Sequence, residues 1–75
     1  MPKKEYSQLQ ILFGQNLQKI RIEKKLSLRA MATNCELDDS NISKIENGKF
    51  NVQLSTIIEL ARGLGVKPKE LLDFL

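Results

Sequence analysis

Residues 35–49 read CELDDSNISKIENGK. Ser40, Asn41, Ser43, Lys44 and Asn47 are short polar or cationic groups, interleaved with Ile42 and Ile45 at helical spacing. A helix with that pattern buries the isoleucines and turns the polar groups outward. Short hydrogen-bonding side chains on one exposed helix face are suited to reading base edges in the major groove of DNA. The first half of the stretch runs against this reading. Glu36, Asp38 and Asp39 stand at the leading end of the helix, where it would meet a polyanion. Either the chain does not read nucleic acid, or the acids have local roles.

Other chemistries find little support. The chain has no His and a single cysteine, Cys35, which excludes an internal disulfide and any multi-cysteine metal site. Gly14, Gly48, Gly63 and Gly65 are scattered rather than gathered into a phosphate-binding loop. The expectation is a protein that is not an enzyme and that holds no metal and no cofactor. Cys35 is expected as a small, reduced core residue, with a redox-sensing role as the alternative.

The elements that must position Ser40–Asn47 follow from the rest of the chain. With 75 residues, 41% apolar and 28% charged, the chain makes one domain with a thin core. The net charge of +3 permits nucleic acid or an acidic surface as partner without demanding either. The excess lies in residues 1–49, with nine Lys/Arg against six Asp/Glu; residues 50–75 carry three of each. No apolar run suits a membrane span, and MPKKEYSQ lacks the apolar region of a secretory signal, so a cytoplasmic location is expected.

In YSQLQI, Ser7 reads as an N-cap with Gln10 completing a capping box and Tyr6 stapling to Ile11. Leu9, Phe13, Leu17 and Ile20 then give one apolar face to a first helix over about 8–25. Residues 1–6 are expected as a flexible arm, in which Lys3 and Lys4 form either a minor-groove contact or a disordered tail, and 7–75 as the domain. Ser27 caps a two-turn second helix with Met31, Ala32 and Cys35 inside. A break at Glu36–Leu37 follows, then Asp38 as the next cap, worth about 1 kcal/mol over Ala. The third helix ends at Gly48. Phe50 and Val52 anchor the loop over 47–53 to the core. A fourth helix covers Leu54–Leu64, with Leu54, Ile57, Ile58, Ala61 and Leu64 inward, and Gly65 stops it. A fifth starts at Pro68 and runs to the end. The fold class is therefore all-α, a compact five-helix bundle.

Two short helices joined by a tight turn, with small Ala32 between them and Leu37, Ile42 and Ile45 inside, form a helix-turn-helix. Four pieces in order carry a fuller resemblance: GQNLQKIR, LSLRAMA, LDDSNISKIENGK and LSTIIELARGLGVKPKELL. Over about residues 9–73 the chain resembles the Cro/CI-type, XRE-like family, whose domain is lambda-repressor-like. The resemblance implies a DNA-binding transcriptional regulator. It also implies a mostly buried salt bridge between Arg21 and Glu46, which sequence alone would leave as solvated charges. Removing one partner of such a pair costs roughly 3–5 kcal/mol.

By the same resemblance, base-reading positions fall on Asp39, Ser40 and Lys44, with Asn41 and Ser43 nearby. Lys44 suits guanine, Ser40 several bases and Asp39 the amino group of cytosine. Phosphate contacts fall on Ser27, Leu28, Arg29, Asn47, Gly48, Lys49 and Asn51. Two positions depart from the family pattern. Leu28 stands where many members carry a phosphate-binding Gln. Glu36 stands where Gly is usual, so either its backbone is strained or the turn differs.

A single helix-turn-helix reads few base pairs, so the first function expected is a small homodimeric, repressor-like protein on a pseudo-palindromic operator, with no small-molecule ligand and no membrane partner. Its dimer contacts would come from Leu71, Leu72, Phe74 and Leu75; for Phe74 and Leu75, closing the core is an equal alternative. Phage-like repressors, restriction–modification controllers and antitoxins all have small members of this type. The second function expected is a protein-interaction module or antitoxin-type partner that keeps the fold with weak DNA binding, favoured by the acidic edge from Glu36 to Asp39.

Overall fold

In a computed structural model, the backbone is described from Lys3 to Leu75 and the side chains from Tyr6 onward. Four α-helices follow one another: α1 over Lys3–Glu23, α2 over Leu28–Thr33, α3 over Asp39–Glu46 and α4 over Leu54–Leu64. A 3-10 segment over Pro68–Leu72 closes the chain, and there is no strand among the described residues. α1 packs on α3 and on the terminal segment, while α2 bridges α3 and α4. Among the described residues no helix is long and apolar enough to cross a membrane.

Two ends differ from expectation. α1 begins at Lys3, so Ser7 lies inside it rather than capping it, and residues 3–6 of the expected arm are helical. Nothing between Lys3 and Ser7 breaks a helix, and a serine in a helix interior costs only about half a kcal/mol. Met1 and Pro2 lie outside the described residues. The fifth helix is not an α-helix: Pro68 does open it, but the turn is 3-10 and stops at Leu72. Five residues give too few i→i+4 bonds to hold an α-helix.

Phe13, Leu17, Met31, Ile42, Ile45, Leu60, Ala61, Leu64 and Leu71 form the core. Four expected inward residues lie at its edge instead: Leu9 and Phe50 are exposed, and so are Leu54 at 76% and Ile58 at 42%. The inward arc of α4 is centred on Leu60, Ala61 and Leu64. At roughly 100° per residue, Leu54 and Ile58 fall to one side of that arc, where the bundle ends. The apolar stripe of α4 is wider than what this chain covers.

Glycine sets the closest helix approach. A Cβ on Gly14 would lie 2.4 Å from the Ile45 carbonyl oxygen and 2.6 Å from that of Glu46. The isolated glycine in the middle of α1 lets the backbone of α3 sit directly against it. Two residues further on, Asn16 Nδ2 donates to the carbonyls of Glu70 at 3.1 Å and Leu71 at 3.0 Å, tying the terminal segment to α1.

Candidate nucleic-acid interface

α3 is an eight-residue helix whose start is set by Asp38. The carboxylate Oδ1 of Asp38 accepts from the Asn41 amide at 2.7 Å. One of the three opening acids is therefore a cap, and its charge also suits the positive end of the helix. Ile42, Ile45 and Glu46 point inward. Ser40, Lys44 and Asn47 fall together on the opposite, exposed side, with Ser43 and Asn41 flanking them. Asp39 is the first residue of α3 and is half-buried. The outer face is thus a short strip of hydroxyls and amides around a single ammonium.

Glu46 is the one charged residue of the core among the described residues. Arg21 Nε donates to its Oε2 at 2.6 Å and Nη2 to its Oε1 at 3.1 Å. The third nitrogen, Nη1, donates to the Leu26 carbonyl at 2.8 Å. All three arms of the guanidinium are used, in the bidentate geometry that lysine lacks. The hydrogen bond with Glu46 raises Arg21 above its ordinary range, and burial offsets only part of that rise. The pairing links the end of α3 to the end of α1 and holds the outer face of α3 at a fixed angle.

α2 lies beside α3 with its N-terminus capped by Ser27, whose Oγ accepts from the Ala30 amide at 3.0 Å. That hydroxyl still has a proton to donate. Arg29 is exposed next to it. Leu28 is different: its side chain packs against the core, so only its backbone can face a phosphate. At the far end of α3, Asn47 Nδ2 donates to the Ser43 carbonyl at 2.9 Å, and Gly48 follows at φ 73°. The side chain of Asn47 serves the helix end, while Lys49 and Asn51 stay exposed in the loop.

The turn between α2 and α3 does not carry backbone strain. Lys25 is the one non-glycine residue at positive φ among those described, so Glu36 is not left-handed. Its amide donates to Oε1 of Glu59 on α4 at 3.0 Å. Asn34 Nδ2 adds a bond to the Gly63 carbonyl at 3.3 Å, and Gly63 itself lies against Met31 and Cys35. Cys35 is half-buried with its thiol toward the Met31 carbonyl at 3.6 Å, as a small packing residue. Sequence reading missed Gly14, Asn16 and Glu59, whose partners are distant in the chain. An isolated glycine inside a helical pattern is a signal of close packing, and Gly14 could have been found on that ground.

Of the residues expected at a dimer contact, Leu71 is fully buried and belongs to the core. Phe74 is half-buried with its ring edge-on to Phe13, centroids 6.3 Å apart at 73°. Leu72 and Leu75 are exposed. An open apolar groove of about 190 Å³ runs between Leu9, Phe50, Ile57, Leu72 and Leu75. Leu54 is one helical turn from Ile57 and Ile58, so the exposed side of α4 continues this groove.

A short anchored helix with a polar outer face, crossed by a second short helix, defines a helix-turn-helix DNA-binding domain. The family model for the helix-turn-helix domain matches residues 14–73, and the chain belongs to that family, in its Cro/CI-type, XRE-like branch. It is 43% identical over 67 residues to the control protein C.BamHI of Bacillus amyloliquefaciens, covering 88% of this chain and 83% of that one. With the control protein C.MunI of a Mycoplasma species it shares 42% over 64 residues, 84% of this chain and 86% of the relative. The crystal structure of the restriction-modification controller protein C.AhdI from Aeromonas hydrophila superposes with a TM-score of 0.76 at 39% identity, over 81% of this chain and 92% of that one. The protein is a small DNA-binding transcriptional regulator and not an enzyme.

Proposed function

We propose that the protein is a homodimeric controller-type regulator that reads a pseudo-palindromic operator with α3 in the major groove. The observation that carries this is the outer face of α3. Ser40, Lys44 and the flanking Asn41 and Ser43 are exposed or half-exposed on a helix that Arg21 and Glu46 hold rigidly. Lys44 donates to guanine, Ser40 adapts to its neighbour, and Asp39 at the helix start accepts from a cytosine amino group or repels other sites. Arg29, Lys49, Asn51 and the amides at the start of α2 hold phosphates and set register. The kinship with the control proteins C.BamHI and C.MunI at 43% and 42% identity, and with the restriction-modification controller protein C.AhdI at 39%, supports the controller role over a phage repressor or an antitoxin.

The second copy binds the exposed side of α4 and the adjoining groove. Leu54, Ile58, Phe50 and Leu75 make a larger apolar surface than scattered single residues do, and such surfaces mark interfaces. Selection of bound DNA from a random pool tests the reading. It returns one half-site repeated about 34 Å apart along the duplex. A folded sample that enriches no sequence would overturn it. Lys44→Ala then relaxes preference at one base pair of each half-site, and a loss that is uniform over all sequences would make Lys44 a phosphate contact instead.

A further inference from the structure

Three of the four helices end alike, and α2 does not. α1, α3 and α4 each finish on a left-handed residue: Lys25 at φ 60°, Gly48 at 73° and Gly65 at 70°. In each, the next amide turns back to the last helical turn: Leu26 to Arg21, Lys49 to Lys44 and Val66 to Ala61, at 3.0–3.1 Å. α2 ends instead with two bonds that each reach back only three residues, Asn34 to the Met31 carbonyl at 3.1 Å and Cys35 to that of Ala32 at 3.3 Å. The next amide, Glu36, has no carbonyl to return to because no left-handed residue reverses the chain there. The Glu59 carboxylate receives it from α4.

We infer that Glu59 is a positioning residue for DNA reading: its carboxylate supplies from α4 the helix-ending bond that α2 lacks, and so sets the angle at which α3 leaves the turn. The inference rests on the DNA-binding reading above. Glu59 is well placed for this. Its side chain is 21% exposed, and its other oxygen faces Arg62 Nη1 at 3.6 Å, which holds the carboxylate in place from the next turn of the same helix. The bond spans 23 residues and joins the turn to the helix whose exposed side carries Leu54 and Ile58. Glu59 therefore fixes the reading helix relative to the helix on which a second copy would sit. Asp39, Ser40 and Lys44 lie three to eight residues beyond Glu36, so a tilt at the turn moves all of them together.

Binding is measured to the operator recovered from the random pool and to an unrelated duplex of equal length, with folding followed by circular dichroism. Glu59→Asp keeps the charge and the fold and withdraws the acceptor by one methylene. Glu59→Ala removes it. Both lower operator affinity about tenfold, the size of one hydrogen bond, and leave non-specific affinity unchanged. Glu59→Gln, which keeps an amide oxygen at the same reach, stays close to wild type. A residue that only stabilises the fold would lower both affinities in step. Equal specific-to-non-specific ratios in Glu59→Asp and wild type would overturn the inference, as would a Glu59→Gln protein as impaired as Glu59→Asp. Failure to recover any operator would instead overturn the DNA-binding reading itself.

Discussion

At the scale of single residues, the pairing of Arg21 with Glu46 decides the most. Glu46 is inside the protein, and Arg21 is its sole charged partner among the described residues, with a side chain only 13% exposed. Removing the acid leaves a guanidinium facing a cavity. Removing the base leaves a carboxylate in the core with no donor. Either change costs roughly 3–5 kcal/mol, and a small domain has only about 5 kcal/mol or slightly more in total. Glu46→Ala therefore brings the protein to the edge of unfolding, visible as a large drop in the urea midpoint. Arg21→Lys keeps the charge without the fork and falls between. A Glu46→Ala melt within about 1 kcal/mol of wild type would show that the pair is worth no more than a surface bridge. The pH dependence follows from the sign of the shift. A base raised in the folded state contributes fully below its unfolded value and loses that contribution only as pH climbs through the folded one. For Arg21 both lie far on the alkaline side, so its share of the stability is constant across the neutral range.

At the scale of elements, helix ends separate what the sequence discloses from what it hides. Lys25 ends α1 in the left-handed region, with its amide on the Ile22 carbonyl at 2.9 Å. A side chain there costs about 1 kcal/mol that glycine avoids. Lys25→Gly is accordingly expected to stabilise the protein by up to about 1 kcal/mol, raising the melting temperature by roughly 4–8 °C. An unchanged or lower melting temperature would mean that the loss of backbone freedom in the unfolded chain outweighs the relief. The caps Ser27 and Asp38 and the stops Gly48 and Gly65 were legible because each acts on amides within a few residues of itself. The outer face of α3 was legible because Ile42 and Ile45 fix which side is in. Ser7 was misread because capping chemistry is permissive: a serine followed by Gln10 also sits in a helix interior when nothing upstream breaks the helix. Glu36 was a puzzle in the sequence because the group that completes its turn, Glu59, is 23 residues away. The Arg21–Glu46 pairing came from family resemblance rather than from spacing, for the same reason. Hydrophobic periodicity placed Leu54 and Ile58 on the inner stripe of α4 but could not say how wide an arc the bundle covers.

At the scale of the whole molecule, the uncovered arc of α4 and the short reach of α3 call for the same thing. A single α3 spans eight residues, about 12 Å, a length that matches only a few base pairs. Two copies on a two-fold axis double the site, and their surface must be self-complementary. In the proposed dimer the exposed Leu54, Ile58, Phe50 and Leu75 would meet that need, because an apolar patch pairs with itself without matching charges. Leu54→Glu with Ile58→Glu tests this without touching the core. Both positions are open to water, so the carboxylates stay solvated in the separated chain, and the fold is expected to change by no more than about 0.5 kcal/mol per site. In the dimer the same carboxylates would be buried against one another. Sedimentation should then show a single chain with an unchanged circular dichroism spectrum. Affinity for the full operator should fall to that of a half-site, and the slope of affinity against salt should roughly halve as half the phosphate contacts are lost. A double variant that still sediments as a pair and still shows the full salt slope would place the two-fold contact elsewhere on the bundle.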